Sequence, residues 1–212
     1  MTDSYELFKL LKKQGLLKSK PPMWWTSYGS FEVLIGAILT QNSQWTRVEV
    51  SLENLHSHDC IEIEKLCEIK IQKLEELISP SGLFKSKANY IKLLALAIKE
   101  KFGSFECFCA EVDRAWLLSQ KGIGPETADS ILCYACKRGV MVVDAYTARL
   151  LNAFGYAFDT YSDLQAWCVE GLSKYFNENE LAEVFALFHG MIVEFVKANS
   201  KGKKVNIEKL EN

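Results

Sequence analysis

A chain of 212 residues, 49% of them hydrophobic, can bury one large core or two small ones that share a cleft, and its composition excludes a disordered protein. The formal net charge of −2 argues by its sum against a nucleic-acid protein, although the distribution of charge matters more than the sum. No apolar run reaches the roughly 18 residues of a membrane span, and seven cysteines, an odd count, are expected as reduced thiols rather than a disulfide framework.

Met1-Thr2-Asp3-Ser4-Tyr5-Glu6 lacks the basic start and apolar stretch of a secretory leader, so the expected location is cytoplasmic. Leu7, Phe8, Leu10 and Leu11 recur at helical spacing, and Gly15 is placed to end that helix. Pro21-Pro22-Met23-Trp24-Trp25 follows, and two adjacent tryptophans point in different directions, so one core position cannot absorb both. Phe31 to Leu39 reads as a buried helix. Val48, Leu52 and Leu55 make another apolar face; Tyr90, Leu93, Leu94, Ala97 and Ile98 make a third, with Gly103 just past its end. Trp116 and Trp167 read as core. Cys133 and Cys136 form a C-x-x-C without a second pair at zinc-ligand spacing, and read as small apolar residues on one helix face. Val140 to Val143 is strand-like but too short to seed a sheet, and Ser162 to Tyr175 and Leu181 to Lys197 are further helices. Lys201, Lys203 and Lys204 form a basic tail, either a solvated end or a DNA contact. The fold class is all-α.

The informative stretch is Leu117-Leu118-Ser119-Gln120-Lys121-Gly122-Ile123-Gly124-Pro125-Glu126-Thr127-Ala128. A helix ends, a Gly-x-Gly turn follows, and Pro125 opens a new helix where its missing N–H is harmless. Gly122 and Gly124 are expected to take positive φ and let the backbone approach a partner closely, while Ile123 tucks between the helices. The turn and the first helical residues, Lys121 through Thr127 and including Glu126, then aim N–H groups outward with the helix dipole behind them. That is an anion site, and on DNA the anion is a phosphate. Lys121, Lys137, Arg138 and Arg149 stand near this motif, whereas Glu62, Glu64, Glu75 and Glu76 lie elsewhere. Twenty residues past Gly124 stands Asp144, directly before a helix starting near Ala145. By position it is an N-cap, and by its place after the hairpin a candidate catalytic carboxylate; the two roles are compatible.

Lys121 to Ala128 followed by Val142-Val143-Asp144, together with Ser81-Gly82-Leu83-Phe84-Lys85-Ser86-Lys87-Ala88 and Ile38-Leu39-Thr40-Gln41-Asn42, resembles the endonuclease III superfamily of helix-hairpin-helix glycosylases, across roughly residues 5 to 197. The resemblance implies a six-helix barrel over 28–137 containing the hairpin at about 112–136, and a second helical domain from 1–27 and 138–212 that carries Asp144, with a DNA cleft between. It also implies that Gln41 probes DNA and fills the gap left by an extruded nucleotide.

Two departures narrow this. Bifunctional members carry a lysine at the position of Glu126, which attacks the sugar and permits strand cleavage; a carboxylate cannot do so, which implies a monofunctional enzyme that uses water. Iron–sulfur members place four cysteines after a His-Gly segment, but here His189-Gly190 leads through Met191 to Glu194, and no cysteine follows Cys168. No cluster, metal or other cofactor is therefore expected, and His189 reads as a packed or hydrogen-bonded structural histidine.

With these departures the chain is similar to the superfamily's 3-methyladenine branch, the type called 3-methyladenine DNA glycosylase III. In that branch residues at the positions of Trp24, Trp25 and Trp45 line the base pocket; Trp45 follows Gln41 by four residues, one turn on if the helix continues. An indole face attracts a cationic base such as 3-methyladenine, although core or interface packing remains an alternative for some of the three. Lys197, following Glu194 on the last helix, is placed with this pocket. The implied partner is double-stranded DNA containing alkylated bases, with no membrane, acted on by a monomer. The alternatives are a glycosylase for a neutral lesion and a non-catalytic helix-hairpin-helix DNA-binding module.

Overall fold

The computed structural model describes residues 3–211, so the leader reading at Met1 and Thr2 lies outside the described residues. Among the described residues the regular structure is helical apart from an antiparallel ribbon of two two-residue strands, and the chain divides into two compact units. One is Gly29–Cys136; the other is built from both chain ends, up to Tyr28 and from Lys137 onward, against expected boundaries at 28 and 137. The first helix, α1 (Ser4–Lys13), belongs to the unit of chain ends; the Asp3 side chain caps its start by accepting from Glu6 N, and Gly15 ends it at φ +63°.

The central unit holds α2 (Glu32–Leu39), α3 (Trp45–His56), α4 (Ile63–Glu68), α5 (Ile71–Leu77), α6 (Phe84–Phe102), α7 (Phe105–Glu111), α8 (Arg114–Ser119) and α9 (Pro125–Ser130), which runs into a π turn at Ile131–Ala135. Every residue of α2 is buried, which is why its sequence shows no polar face. Helix α6 packs on α2, α4 and α5, burying Ala88, Ile91, Leu94, Ala95, Ile98 and Phe102. The expected stripe is therefore corrected: Leu94 and Ile98 hold, but Leu93 is 41% exposed. Both stripes have helical spacing, and periodicity alone does not say which flank the neighbours cover.

Two lysines of α6 close the ends of other helices. Lys87, buried, donates to the carbonyls of Leu39 and Ser81 at 2.7 and 2.8 Å, and burial pushes its ammonium down to about 8. Lys92 donates to the carbonyls of Cys67, within the last turn of α4, and of Ile69, just beyond its end. Each places a cation where a helix end leaves unsatisfied carbonyls and negative dipole.

The unit of chain ends adds α10 (Ala145–Ala153), α11 (Tyr161–Ser173), α12 (Glu178–Asn199), the ribbon β1 (Ser200–Lys201) with β2 (Lys204–Val205), and α13 (Glu208–Glu211). Its core joins Leu7 and Leu11 of α1 to Leu150 and Leu151 of α10, Leu172 of α11, and Phe185, Phe188, Ile192 and Phe195 of α12. Helix α12 begins three residues before the expected Leu181, because Asn177 and Glu180 form a reciprocal capping box. The ribbon pairs Ser200 with Val205 and Lys201 with Lys204, giving the basic tail a hairpin that its charges do not announce. Val140 to Val143 joins no strand; Val142 and Val143 are buried and deliver the chain to Asp144. The seven cysteines form no disulfide, and burial pushes the thiols of Cys133 and Cys168 up, which makes them inert. Among the described residues no helix is long and apolar enough to cross a membrane.

Candidate active site

Asp144 takes extended backbone (φ −146°, ψ −172°) and caps α10. Its Oδ1 accepts from Thr147 N at 2.8 Å and from Thr147 Oγ1 at 3.0 Å, while Oδ2 stands 3.5 Å from Nε2 of the buried His189. Burial by itself raises the Asp144 carboxyl, but His189, through hydrogen bonding and charge, and the two bonds from Thr147 outweigh it and hold the group below the ordinary carboxylate value. The cap thus occupies one oxygen and leaves the other as an ionised, partly desolvated acceptor.

Trp24 lies in the same network. Its backbone is left-handed (φ +67°), its Nε1 donates to Glu194 Oε1 at 3.0 Å, and its ring meets the His189 ring edge-on at 5.2 Å. Trp25, only 7% exposed, crosses Trp24 at 88° with ring centres 6.0 Å apart. Glu194 also binds Lys20 through Oε2 at 2.9 Å and has Lys197 Nζ 3.9 Å from Oε1; Lys197 in turn lies over the Tyr146 ring. Three of the expected residues, Trp24, Trp25 and Lys197, therefore share a unit with Asp144, Trp24 and Lys197 joined through Glu194 and Trp25 through its ring contact with Trp24. His189, Glu194 and Lys20 were not assigned to the site from sequence, and His189-Gly190 carried the only local signal.

The hairpin belongs to the central unit, and its two glycines differ. Gly122 has φ +83°, and a Cβ there would lie 2.3 Å from Tyr90 Cδ2, too close for the ring to stay in place. Gly124 has φ −94° and ψ 179°, the extended conformation usual for an N-cap, and a Cβ there meets nothing within 4 Å. The expectation of positive φ thus holds for Gly122 and is corrected for Gly124. Ile123 is buried, while Lys121 and Glu126 are exposed. Arg114 Nε and Nη2 bind the buried Asp129 carboxylate at 2.6 and 3.1 Å, fastening α8 to α9.

Gln41 also reaches the hairpin: its Nε2 donates to Gly122 O at 2.9 Å and to Thr127 Oγ1 at 3.0 Å. The helix does not continue to Trp45, because α2 ends at Leu39, Asn42 takes φ +52°, and Trp45 opens α3. Trp45 is half-buried. Of the expected cations, Lys121 belongs to the central unit and Lys137, Arg138 and Arg149 to the unit of chain ends. Sequence reasoning gave no separate role to Leu83, which caps α6 at φ +47° and is 65% exposed. A large apolar side chain so exposed on left-handed backbone is an outlier, and the preceding Gly82 was the available hint.

The HhH-GPD superfamily of base excision DNA repair proteins matches residues 35–173. The crystal structure of the H. pylori 3-methyladenine DNA glycosylase MagIII bound to 1,N6-ethenoadenine matches with a TM-score of 0.89 and 43% identity, covering 94% of this chain and 99% of that one. A protein of Methanocaldococcus jannaschii provisionally named a DNA repair glycosylase is 38% identical, across 82% of this chain and 80% of its own. An endonuclease III in a non-covalent complex with DNA has the same fold, with a TM-score of 0.75 at 19% identity over 98% of this chain and 92% of that one.

Proposed function

This chain belongs to the HhH-GPD superfamily of base excision DNA repair proteins, and on that premise we propose that it is a monofunctional glycosylase that hydrolyses the N-glycosidic bond of alkylated purines, chiefly 3-methyladenine, in duplex DNA. The observation that carries this reading is the Asp144 carboxylate, with one oxygen fixed by Thr147 and the other left beside His189 and the Trp24 network. The damaged nucleotide is extruded from the stack to reach it. The hairpin holds backbone phosphate on its outward amides, and Gln41 and Thr127 brace that turn. Asp144 stabilises oxocarbenium character at the sugar and orients or deprotonates water. A cationic base is a good leaving group, so no strong general acid is required. The likeness to MagIII supports the lesion class.

The residues at the C-terminal segment do not fit an iron–sulfur cluster: Glu194 is ion-paired to Lys20, and no cysteine follows Cys168. With Glu126 in place of an amine nucleophile, the enzyme should release bases without nicking, and borohydride should trap no protein–DNA adduct on an abasic product. An adduct of the expected mass would show that another amine does the work.

The identity of the bases released from methylated DNA tests the reading as a whole. The related structure holds 1,N6-ethenoadenine, so lesion range needs a paired measurement. Trp45→Ala should slow excision of 3-methyladenine by about one to two orders of magnitude, from about 1 to 3 kcal/mol of lost stacking. Hypoxanthine, neutral, should be a poor substrate for both proteins. Wild-type release of hypoxanthine as fast as 3-methyladenine would reassign the tryptophans to general stacking or packing.

A further inference from the structure

We propose that Glu194, seated with Gly190 on α12, is a specificity-determining residue that sets the pose of Trp24 and enriches its indole face in negative charge, so that the slot selects cationic bases over neutral ones. The inference rests on the reading of Trp24 as a wall of the base slot.

Trp24 holds a backbone conformation that L side chains rarely adopt, φ +67°, so something other than local preference must keep it there. Two features of α12 do so. At Gly190 the indole occupies the space a side chain would fill: a Cβ would lie 2.5 Å from Trp24 Cγ. One turn on, Glu194 accepts the indole N–H at 3.0 Å. The pose is therefore fixed by a hollow on one side and a hydrogen bond at the ring edge.

The charge of Glu194 does more than hold the ring. Its own side chain is only 18% exposed, and a carboxylate so placed carries a desolvation penalty that an apolar side chain avoids. Its two oxygens are divided between partners, Oε1 to Trp24 and Oε2 to Lys20, with Lys197 at 3.9 Å. Burial raises this carboxyl, but Trp24, Lys20 and Lys197 together hold it below its ordinary value, so it is ionised at neutral pH. An N–H donated to a carboxylate is shorter and stronger than one donated to a neutral acceptor and polarises the donor. In an indole that shift feeds electron density to the ring face, the surface that attracts a cation. A glutamine would keep an acceptor without the charge, which separates the two parts of the role.

The experiment compares single-turnover excision of 3-methyladenine and hypoxanthine from duplex DNA by wild type, Glu194→Gln, Trp24→Phe, the double variant and Gly190→Ala. Glu194→Gln should lower the preference for 3-methyladenine by about five- to tenfold, the size of a cation–π gain. Trp24→Phe removes the indole N–H, so Glu194→Gln added to it should change the preference no further. Gly190→Ala displaces the ring that carries the selection and should slow 3-methyladenine more than hypoxanthine, so that the preference falls there as well. In [15N]tryptophan-labelled protein with five indoles, Glu194→Gln should move one indole N–H resonance and leave the other four, which reports an intact fold. An unchanged preference in Glu194→Gln, or equal effects of that change with and without the indole N–H, overturns the inference. Wild-type excision of 3-methyladenine by Trp24→Ala would instead overturn the slot reading on which it rests.

Discussion

Asp144→Asn should bind lesion-containing duplex at least as well as wild type while base release under single-turnover conditions falls by about two to four orders of magnitude. The substitution is nearly isosteric, and asparagine is as good an N-cap as aspartate, so the bond from Thr147 N survives and α10 keeps its start. What disappears is the negative charge available to an electron-poor sugar. In the native protein the carboxyl lies below its ordinary value of about 3.9, so it is ionised throughout the neutral range. The sign of the linkage follows: a depressed folded value contributes stability above the unfolded value, and that contribution is lost as pH falls through the folded one. Urea midpoints measured between neutral and acid pH should therefore fall further for wild type than for Asp144→Asn. Base release by the variant at near wild-type rate would remove Asp144 from the mechanism.

What could be read from the sequence has local causes. Gly15 and Gly103 end helices through their own positive φ, Pro125 opens α9 where its missing N–H is harmless, and Asp144 caps the helix that directly follows it. The capping box of Asn177 and Glu180 is equally local and would have placed the start of α12 correctly. What could not be read joins distant residues. Trp24 and Glu194 are 170 positions apart, and Gln41 and Gly122 are 81 apart, so neither pairing leaves a trace in spacing or periodicity. The flank of α6 that is buried depends on where α4 and α5 lie, and its own pattern fits two stripes. Gln41 shows the limit most plainly. Resemblance assigned it to DNA, whereas through-space geometry adds a bond to the hairpin that no motif contains.

The Gly-x-Gly pattern treats its two glycines alike, but substitution should separate them. Gly122→Ala should destabilise the protein by about 2 to 5 kcal/mol, combining a left-handed penalty of about 1 to 2 kcal/mol with overpacking of about 1 to 3 kcal/mol against Tyr90. Against a typical stability of about 5 to 15 kcal/mol that is a large fraction, and DNA binding should fail with the hairpin, because Gly122 O is also where Gln41 holds it. Gly124→Val should leave the fold intact. Its backbone is already extended and its Cβ direction is open, so the loss should be about 1 kcal/mol, the difference between glycine and a poor N-cap. On the proposed reading the branched side chain then stands in the path of a phosphate approaching the amides at the start of α9. Affinity for duplex should drop about tenfold, roughly the 1.4 kcal/mol of a charge-assisted hydrogen bond. Thermal unfolding and duplex binding by fluorescence anisotropy at moderate salt, measured on both variants, distinguish the two roles. Unchanged affinity in a folded Gly124→Val would mean that the hairpin does not hold DNA. A stable Gly122→Ala would mean that the Tyr90 ring moves aside freely and that only the outward glycine matters for the contact.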